Sequence, residues 1–331
     1  MVKLAQGNLY KGSLTDMADL FLHQLPDAKE LLEITAQEKN ILPILVEKDY
    51  WIMHTLWGLI QQGFNFELKG GTSLSKGFGI INRFSEDIDI HFHPHPDDNV
   101  KTGKNHDKDT HIQGRKHFFD KLASSLSIPN LTFERDPSFD DEEKMRNAGI
   151  IAQYDALFAS LPDIKTGVLL EVGFDQTTSN LSKSITSWAY EKAKTLGLDI
   201  VDNRAVGVKC YCPEYTFVEK LQTISTKYRN QQEKGTFPNN FLRHYYDVYQ
   251  LLANDRILNF IGSEAYYLHK ENRFRASDEK NLSKNAAFTF PNNDVKNLYA
   301  IKYQEKAALY FEQQPPFTKI LEKIWHYLDK L

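Results

Sequence analysis

The sequence predicts an α/β fold of the α+β kind, a mixed sheet with flanking helices followed by a mostly helical C-terminal domain. Three observations predict it. Apolar residues recur at helical spacing over the first sixty residues, alternate with period two in short runs between Phe66 and Asp175, and return to helical spacing from Thr216 onward. At 331 residues the chain is long enough for two domains, at roughly 150 residues each. The boundary is expected near residue 205, which gives segments 1–205 and 206–331.

The elements follow in order. TDMADLFLHQL, with Thr15 or Asp16 as N-cap, and the amphipathic run ILPILVEKDYWIMHTLWGLIQQG, closed by Gly63, read as helices. FNFELK alternates like a strand and runs into Gly70-Gly71; TSLSKGFGIINRF reads as a short helix fading near Gly77 and Gly79. EDIDIHFH alternates strictly and predicts a strand. HPHPDDNVKTGKNHDKD is a polar, proline-containing loop, and HIQGRKHFFDKLASSL is a helix. LTFERD, GIIAQYDAL and TGVLLEVGFD are further strands, with the solvated loop DPSFDDEEKMRN between the first two. SITSWAYEKAKTLGL reads as a helix and AVGVKCYC as a last strand. TFVEKLQTISTKYRN, NFLRHYYDVYQLLAN and VKNLYAIKYQEKAALYF then carry helical periods. This succession suits a mixed sheet covered by helices.

Charge and composition exclude several classes. A formal net charge of -4 makes no global electrostatic case for nucleic acid, so any such surface must be local. Cys210 and Cys212 stand one residue apart, which is neither a zinc nor a redox spacing, and they read as reduced, semi-buried thiols. The first residues lack the apolar core of a signal peptide, and no apolar run approaches the ~18 residues of a membrane helix. A cytoplasmic protein with no membrane partner is expected.

The chemistry concentrates in KGGTSLSKGFGIINRFSEDIDI, Lys69 to Ile90. On a strand, Asp87 and Asp89 share one face about 6.5–7 Å apart, while Ile88, Ile90 and Phe92 take the other. Two adjacent carboxylates repel, and a divalent cation resolves the conflict; Mg²⁺ prefers carboxylate oxygen and keeps positions for water and phosphate. Gly70 and Gly71 permit positive φ and close approach of a ligand, and the helix after them turns free N–H groups toward an anion. Thr72 and Ser73 add hydroxyls, and Lys76 follows one turn on. Each piece alone has an ordinary reading: Gly-Gly turns are common, and D-x-D is often a solvated strand face. Together, in this order, they predict a pocket for a metal-bound nucleoside triphosphate.

These residues resemble a known family. The glycine turn, short helix and D-x-D strand are similar to the nucleotidyltransferase superfamily that includes DNA polymerase β. More closely, VEKDYWI at Val46–Ile52, FELKGGTSLSK at Phe66–Lys76 and RFSEDIDI at Arg83–Ile90 resemble the AbiEii/AbiGii nucleotidyltransferase toxins of abortive-infection and toxin–antitoxin pairs. The resemblance extends into the helical half through FVEKLQTISTKYR and FLRHYYDVYQLL; the gap between the glycines and Asp87 is somewhat longer than in many polymerase-β-like enzymes.

The resemblance implies a polymerase-β-like domain and a third carboxylate on a later strand, for which Glu171, central in its strand, is preferred over Asp175 at the strand end. The ordinary reading of Glu171 is a solvent-facing strand glutamate. The resemblance further implies that Lys220 binds the triphosphate and that Asp247 is an acidic site residue. Without it, Lys220 is a surface lysine and Asp247 pairs with Arg243 four residues before it. The implied metal site is Asp87, Asp89 and Glu171 with Mg²⁺ or Mn²⁺, and the implied substrate is an NTP. The implied acceptor is RNA, with a tRNA 3′ end among the candidates, and a cognate antitoxin is the implied partner. A GTP- or ATP-binding module without transfer, a protein-modifying nucleotidyltransferase and a kinase-like phosphotransferase are the alternatives. Arg273, Arg275, Lys280 and Lys284 around Phe274 offer a local basic surface, or an ordinary exposed loop. Arg229 reads equally as part of a basic surface or as a solvated residue. His91, His93 and His95 run into prolines and make no zinc pattern, and Glu47, Lys48 and Asp49 are expected to brace the site.

Overall fold

The computed structural model describes residues 20–160, 164, 166–175, 179–238, 240–305, 310 and 314–331. The proposed N-cap at Thr15 or Asp16 lies outside the described residues, as does part of the last predicted helix. The strands among the described residues form one seven-stranded mixed sheet in the order β3-β4-β5-β2-β1-β7-β6. In chain order they are β1 (Phe66–Lys69), β2 (Asp87–Phe92), β3 (Thr132–Asp136), β4 (Asn147–Gln153), β5 (Val168–Gly173), β6 (Asn180–Ile185) and β7 (Ala205–Tyr211). The D-x-D strand β2 therefore sits at the centre, parallel to β5 on one side and antiparallel to β1 on the other. Strand β6 was not expected: its exposed Leu181, Ser182 and Ser184 carry little apolar alternation, because it is an edge strand held by pairing with β7.

The sheet's first face packs on α1 (Ala28–Lys39), α2 (Pro43–Gln61), α4 (Asp109–Ser125) and α5 (Trp188–Thr195). Helix α2 starts with Pro43 at its first turn, where a missing N–H costs nothing. It is buried without a break from Leu45 to Leu56, so it is the spine of the first core rather than a surface helix. Ile88, Ile90 and Phe92 enter this core as the period-two pattern requires.

The second core is helical. It is built by α6 (Pro213–Lys234), α7 (Arg243–Leu251), α8 (Asp255–Phe260), α9 (Glu264–Arg273), α10 (Ala286–Thr289), α11 (Asn293–Gln304) and α12 (Phe317–Tyr327). Helix α6 is bracketed by Pro213 at its start and Gly235 in the left-handed region at its end. Leu74 and Ile81, from the segment between β1 and β2, belong to this second core. The glycine-turn segment thus leaves the sheet and is anchored among the helices. Cys210 and Cys212 are free and buried.

Candidate active site

The acidic side of the site is set by strand register. In the parallel pairing of β2 with β5, Asp89 lies directly beside Glu171, and Asp87 beside Leu169. Alternation puts Asp87 and Asp89 on one face and register puts Glu171 on the same one, opposite the apolar core face. Lys69, at the end of β1, is the register partner of Asp89 across the other edge of β2.

The glycine turn meets these acids. Gly70 has φ +70° and opens α3 (Gly70–Thr72), which continues as a π-helical turn over Ser73–Gly77. A Cβ on Gly70 would overlap the Asp89 carboxylate. Only glycine satisfies both the backbone angle and the close approach. A Cβ on Gly71 would likewise press on the Ser85 hydroxyl. The two halves of the motif are therefore in contact, not merely near in sequence.

Asp89 and Glu171 open onto a cleft of about 1340 Å³, which Lys69, His91, Asp175, Lys144, Arg146 and Arg275 also line. Arg115 ties the two loops of its rim. Its guanidinium is buried and donates to the backbone carbonyls of Lys101 and His106 in one loop and Lys144 in the other.

Cations face the acids from the helical side. Arg243, first residue of α7, holds Nη2 at 3.8 Å from Asp87 Oδ2. Its Nε and Nη1 are buried and find no hydrogen-bond acceptor among the described residues. On α6, Lys220 and Lys227 stand seven residues apart, two turns along one face. Burial and the like charges of Arg243 and Lys220 pull Lys227 down to about 8, with Glu171 and Asp89 acting against that shift. Burial also lowers Lys220, opposed by Asp247.

Behind them lies a second, closed layer. Asp247 is fully buried, and Arg83 grips both its oxygens, at 2.6 Å from Nε and 2.7 Å from Nη2. Lys220 Nζ adds a contact at 3.2 Å. Burial pushes the Asp247 carboxyl up, but Arg83 and Lys220 prevail and hold it at about 2. Glu47, Lys48 and Asp49 form a comparable brace under the sheet. Lys48 pairs with Glu86 beside the D-x-D at 3.6 Å, Asp49 pairs with Lys76 at 2.6 Å, and Glu47 accepts from the Leu157 N–H at 2.6 Å.

The donor set suits a hard divalent cation in chemistry: three carboxylates on one face, two of them in register at a polar cleft. Among the described residues, no three His, Cys, Asp or Glu side chains are gathered closely enough to hold a metal ion, Asp87, Asp89 and Glu171 included. The fit lies in donor type and backbone placement.

A family model described as nucleotidyl transferase AbiEii toxin, type IV toxin–antitoxin system, matches residues 58–329. The chain belongs to this AbiEii family. It is accordingly a nucleotidyltransferase of the toxin–antitoxin kind, with a nucleoside triphosphate as substrate. The match begins late in α2, so the VEKDYWI segment precedes it. No match is found among curated proteins. A crystal structure of an antigenic nucleotidyltransferase-like protein from Paracoccidioides brasiliensis aligns with 68% of this chain and 87% of that chain, at 16% identity and a TM-score of 0.36. That similarity is too low to carry residues across. No helix of the described residues is long and apolar enough to cross a membrane.

In this AbiEii chain the residues expected from the sequence divide into two groups. Asp87, Asp89, Glu171, Gly70 and Gly71 come together, with Lys220 facing them from α6. Lys76 does not: it turns to Asp49 and lies 4.6 Å from the centre of the Trp188 ring, away from the cleft. The Thr72 hydroxyl donates to the Asp87 carbonyl at 2.5 Å and the Ser73 hydroxyl to the Tyr211 carbonyl at 3.4 Å, so both donors point inward. Asp247 faces Arg83 and Lys220 rather than the cleft, and Arg243 pairs with Asp87 rather than with Asp247. Asp175 is no plain turn residue; Arg273 holds it at 2.7 and 2.5 Å, and Lys69 lies 3.7 Å away.

The basic loop is largely committed as well. Arg273 is occupied by Asp175 and Glu219, and Lys280 by Glu271, while Phe274 is buried. Arg229 is committed to Asp278 and Glu233. Two residues escaped the sequence reading. The partner of Arg83 stands 164 residues away, so nothing local signals the pair. Lys227 went unread although a seven-residue step from Lys220 keeps it on the same helix face, a signal that could have found it.

Proposed function

We propose that this toxin transfers a nucleoside monophosphate from an NTP to a hydroxyl of RNA, at a centre formed by Asp87, Asp89 and Glu171. The observation that supports it best is the contact of Gly70 with the Asp89 carboxylate, which joins phosphate turn and acidic strand in one place. In this reading the three carboxylates would hold Mg²⁺ or Mn²⁺. When bound, such a cation supplies charge compensation at the reacting phosphate.

The chain's own residues do the rest. Arg243, Lys220 and Lys227 offset the charge of the β- and γ-phosphates from the helical side. The backbone around Gly70 and Gly71 lets the polyphosphate approach closely. The acceptor hydroxyl enters from the large cleft, attacks the α-phosphorus, and pyrophosphate leaves on the opposite side. Asp247 acts as a positioning residue: it fixes Lys220 and Arg83 and does not touch substrate. RNA as acceptor is supported by the size of the cleft and by Arg275 along it, while Lys144 and Arg146 there already pair with Asp107. A cognate antitoxin is the proposed partner.

The test is incubation with α- and γ-labelled nucleotides, each of the four in turn, with total host RNA. Label entering RNA from the α-position only is expected. Label from the γ-position would indicate phosphoryl transfer, label entering protein a protein-modifying enzyme, and label in neither a binding module.

A further inference from the structure

We infer that a second, aromatic cavity beside Arg243 receives the base and sugar of the incoming nucleotide. This rests on the nucleotidyl-transfer reading and adds to it the place of the nucleoside, next to the Arg243 that approaches Asp87. The cavity measures about 400 Å³, within the roughly 300–1,000 Å³ of small-ligand sites. Phe237, Phe241, Tyr303 and Tyr310 line it together with Arg83 and Arg243. They come from the turn between α6 and α7, the end of α11 and the Tyr310 position, which bridges to Arg83.

Two independent observations point to a nucleoside. Phe237 and Tyr310 present partly exposed rings in the lining, with the core rings of Phe241 and Tyr303 behind them, and stacking on such rings is the general way proteins hold a base without reading its edge. The second is Arg243. Its Nη2 reaches toward Asp87, while its buried Nε and Nη1 lack acceptors among the described residues. Buried donors of this kind cost stability unless a partner arrives. A ribose hydroxyl, a base carbonyl or an α-phosphate oxygen supplies one. The other guanidinium in the wall, Arg83, is already committed to Asp247. Arg243 thus joins the cavity to the acidic strand, as a nucleotide spanning both would require. The division of labour is a small aromatic chamber for the nucleotide and a large polar cleft for the acceptor.

A nucleoside could also come from the 3′ end of the acceptor, so the test uses nucleotides without RNA. Binding of each NTP and of inorganic tripolyphosphate is measured by calorimetry on the wild type, Phe237→Leu and Phe237→Trp, with thermal melts to show that each is folded. The wild type is expected to bind at least one NTP about tenfold more tightly than tripolyphosphate. Phe237→Leu should lose roughly that tenfold for the NTP while leaving tripolyphosphate within twofold, and Phe237→Trp should restore it. Equal losses for both ligands, or no loss for the NTP, would overturn the inference. If neither ligand binds the wild type, the nucleotidyl-transfer reading itself falls, an outcome the tripolyphosphate arm separates from failure of the cavity alone.

Discussion

Asp89 and Asp247 are both acids singled out by their sequence context, yet the structure treats them in opposite ways. Asp89 is half-buried on the central strand, opens onto the large cleft, and has a glycine beside it that keeps its carboxylate uncovered. Asp247 is sealed inside the helical core with Arg83 and Lys220 on its oxygens. An acid left open at a cleft can meet a ligand. One saturated by cations has nothing left to offer and serves to place those cations.

Removing Asp247 should produce the largest change in stability. Asp247→Ala strands the buried Arg83, and breaking such a pair costs about 3–5 kcal/mol, readable by urea unfolding. A loss under about 1 kcal/mol would show that the pair is solvated and erase the contrast with Asp89. Asp89→Asn should lower transfer of α-labelled nucleotide by about a thousandfold, from several kcal/mol of lost charge compensation. Its melting temperature should stay within about 2 °C of wild type. Gly70→Ala, at φ +70° and against Asp89, should lower transfer by about a hundredfold, since displacement of a reacting group by an ångström has that effect.

The smallest expected effect is in pH dependence. The Asp247 carboxyl is held at about 2 against an ordinary 3.8. Its contribution is therefore fully present above pH 3.8 and is lost as pH falls through about 2. On the order of 2 kcal/mol should disappear across that window in wild type, and not in Asp247→Asn, by denaturant unfolding at fixed pH values.

How much of this was legible in the sequence follows from the range of the interactions. Strand β2 and helix α2 were plain because alternation and helical period are local properties, and Gly70 was plain because a positive φ is a single-residue demand. The neighbours of Asp89 were not. Glu171 could be assigned only through family resemblance, because its register beside Asp89 is decided by sheet order. The partners of Lys76 were hidden for the same reason. One turn beyond the glycines it was expected at the phosphates, but Asp49 and Trp188, brought from two other elements, draw it away. Thr72 and Ser73 show the limit of reading hydroxyls as ligand donors, since buried carbonyls at Asp87 and Tyr211 compete for them. Strand β6 was missed because an edge strand with exposed residues shows little hydrophobic alternation.

The most direct measurement is steady-state transfer of α-labelled nucleotide to RNA by Asp89→Asn and Asp247→Asn, each corrected for its folded fraction. Asp89→Asn should lose nearly all kcat, whereas Asp247→Asn should raise the KM for nucleotide and keep kcat within about tenfold of wild type. Retained turnover in Asp89→Asn, or loss of kcat in Asp247→Asn at an unchanged KM, would contradict the placement of the reaction at the central strand.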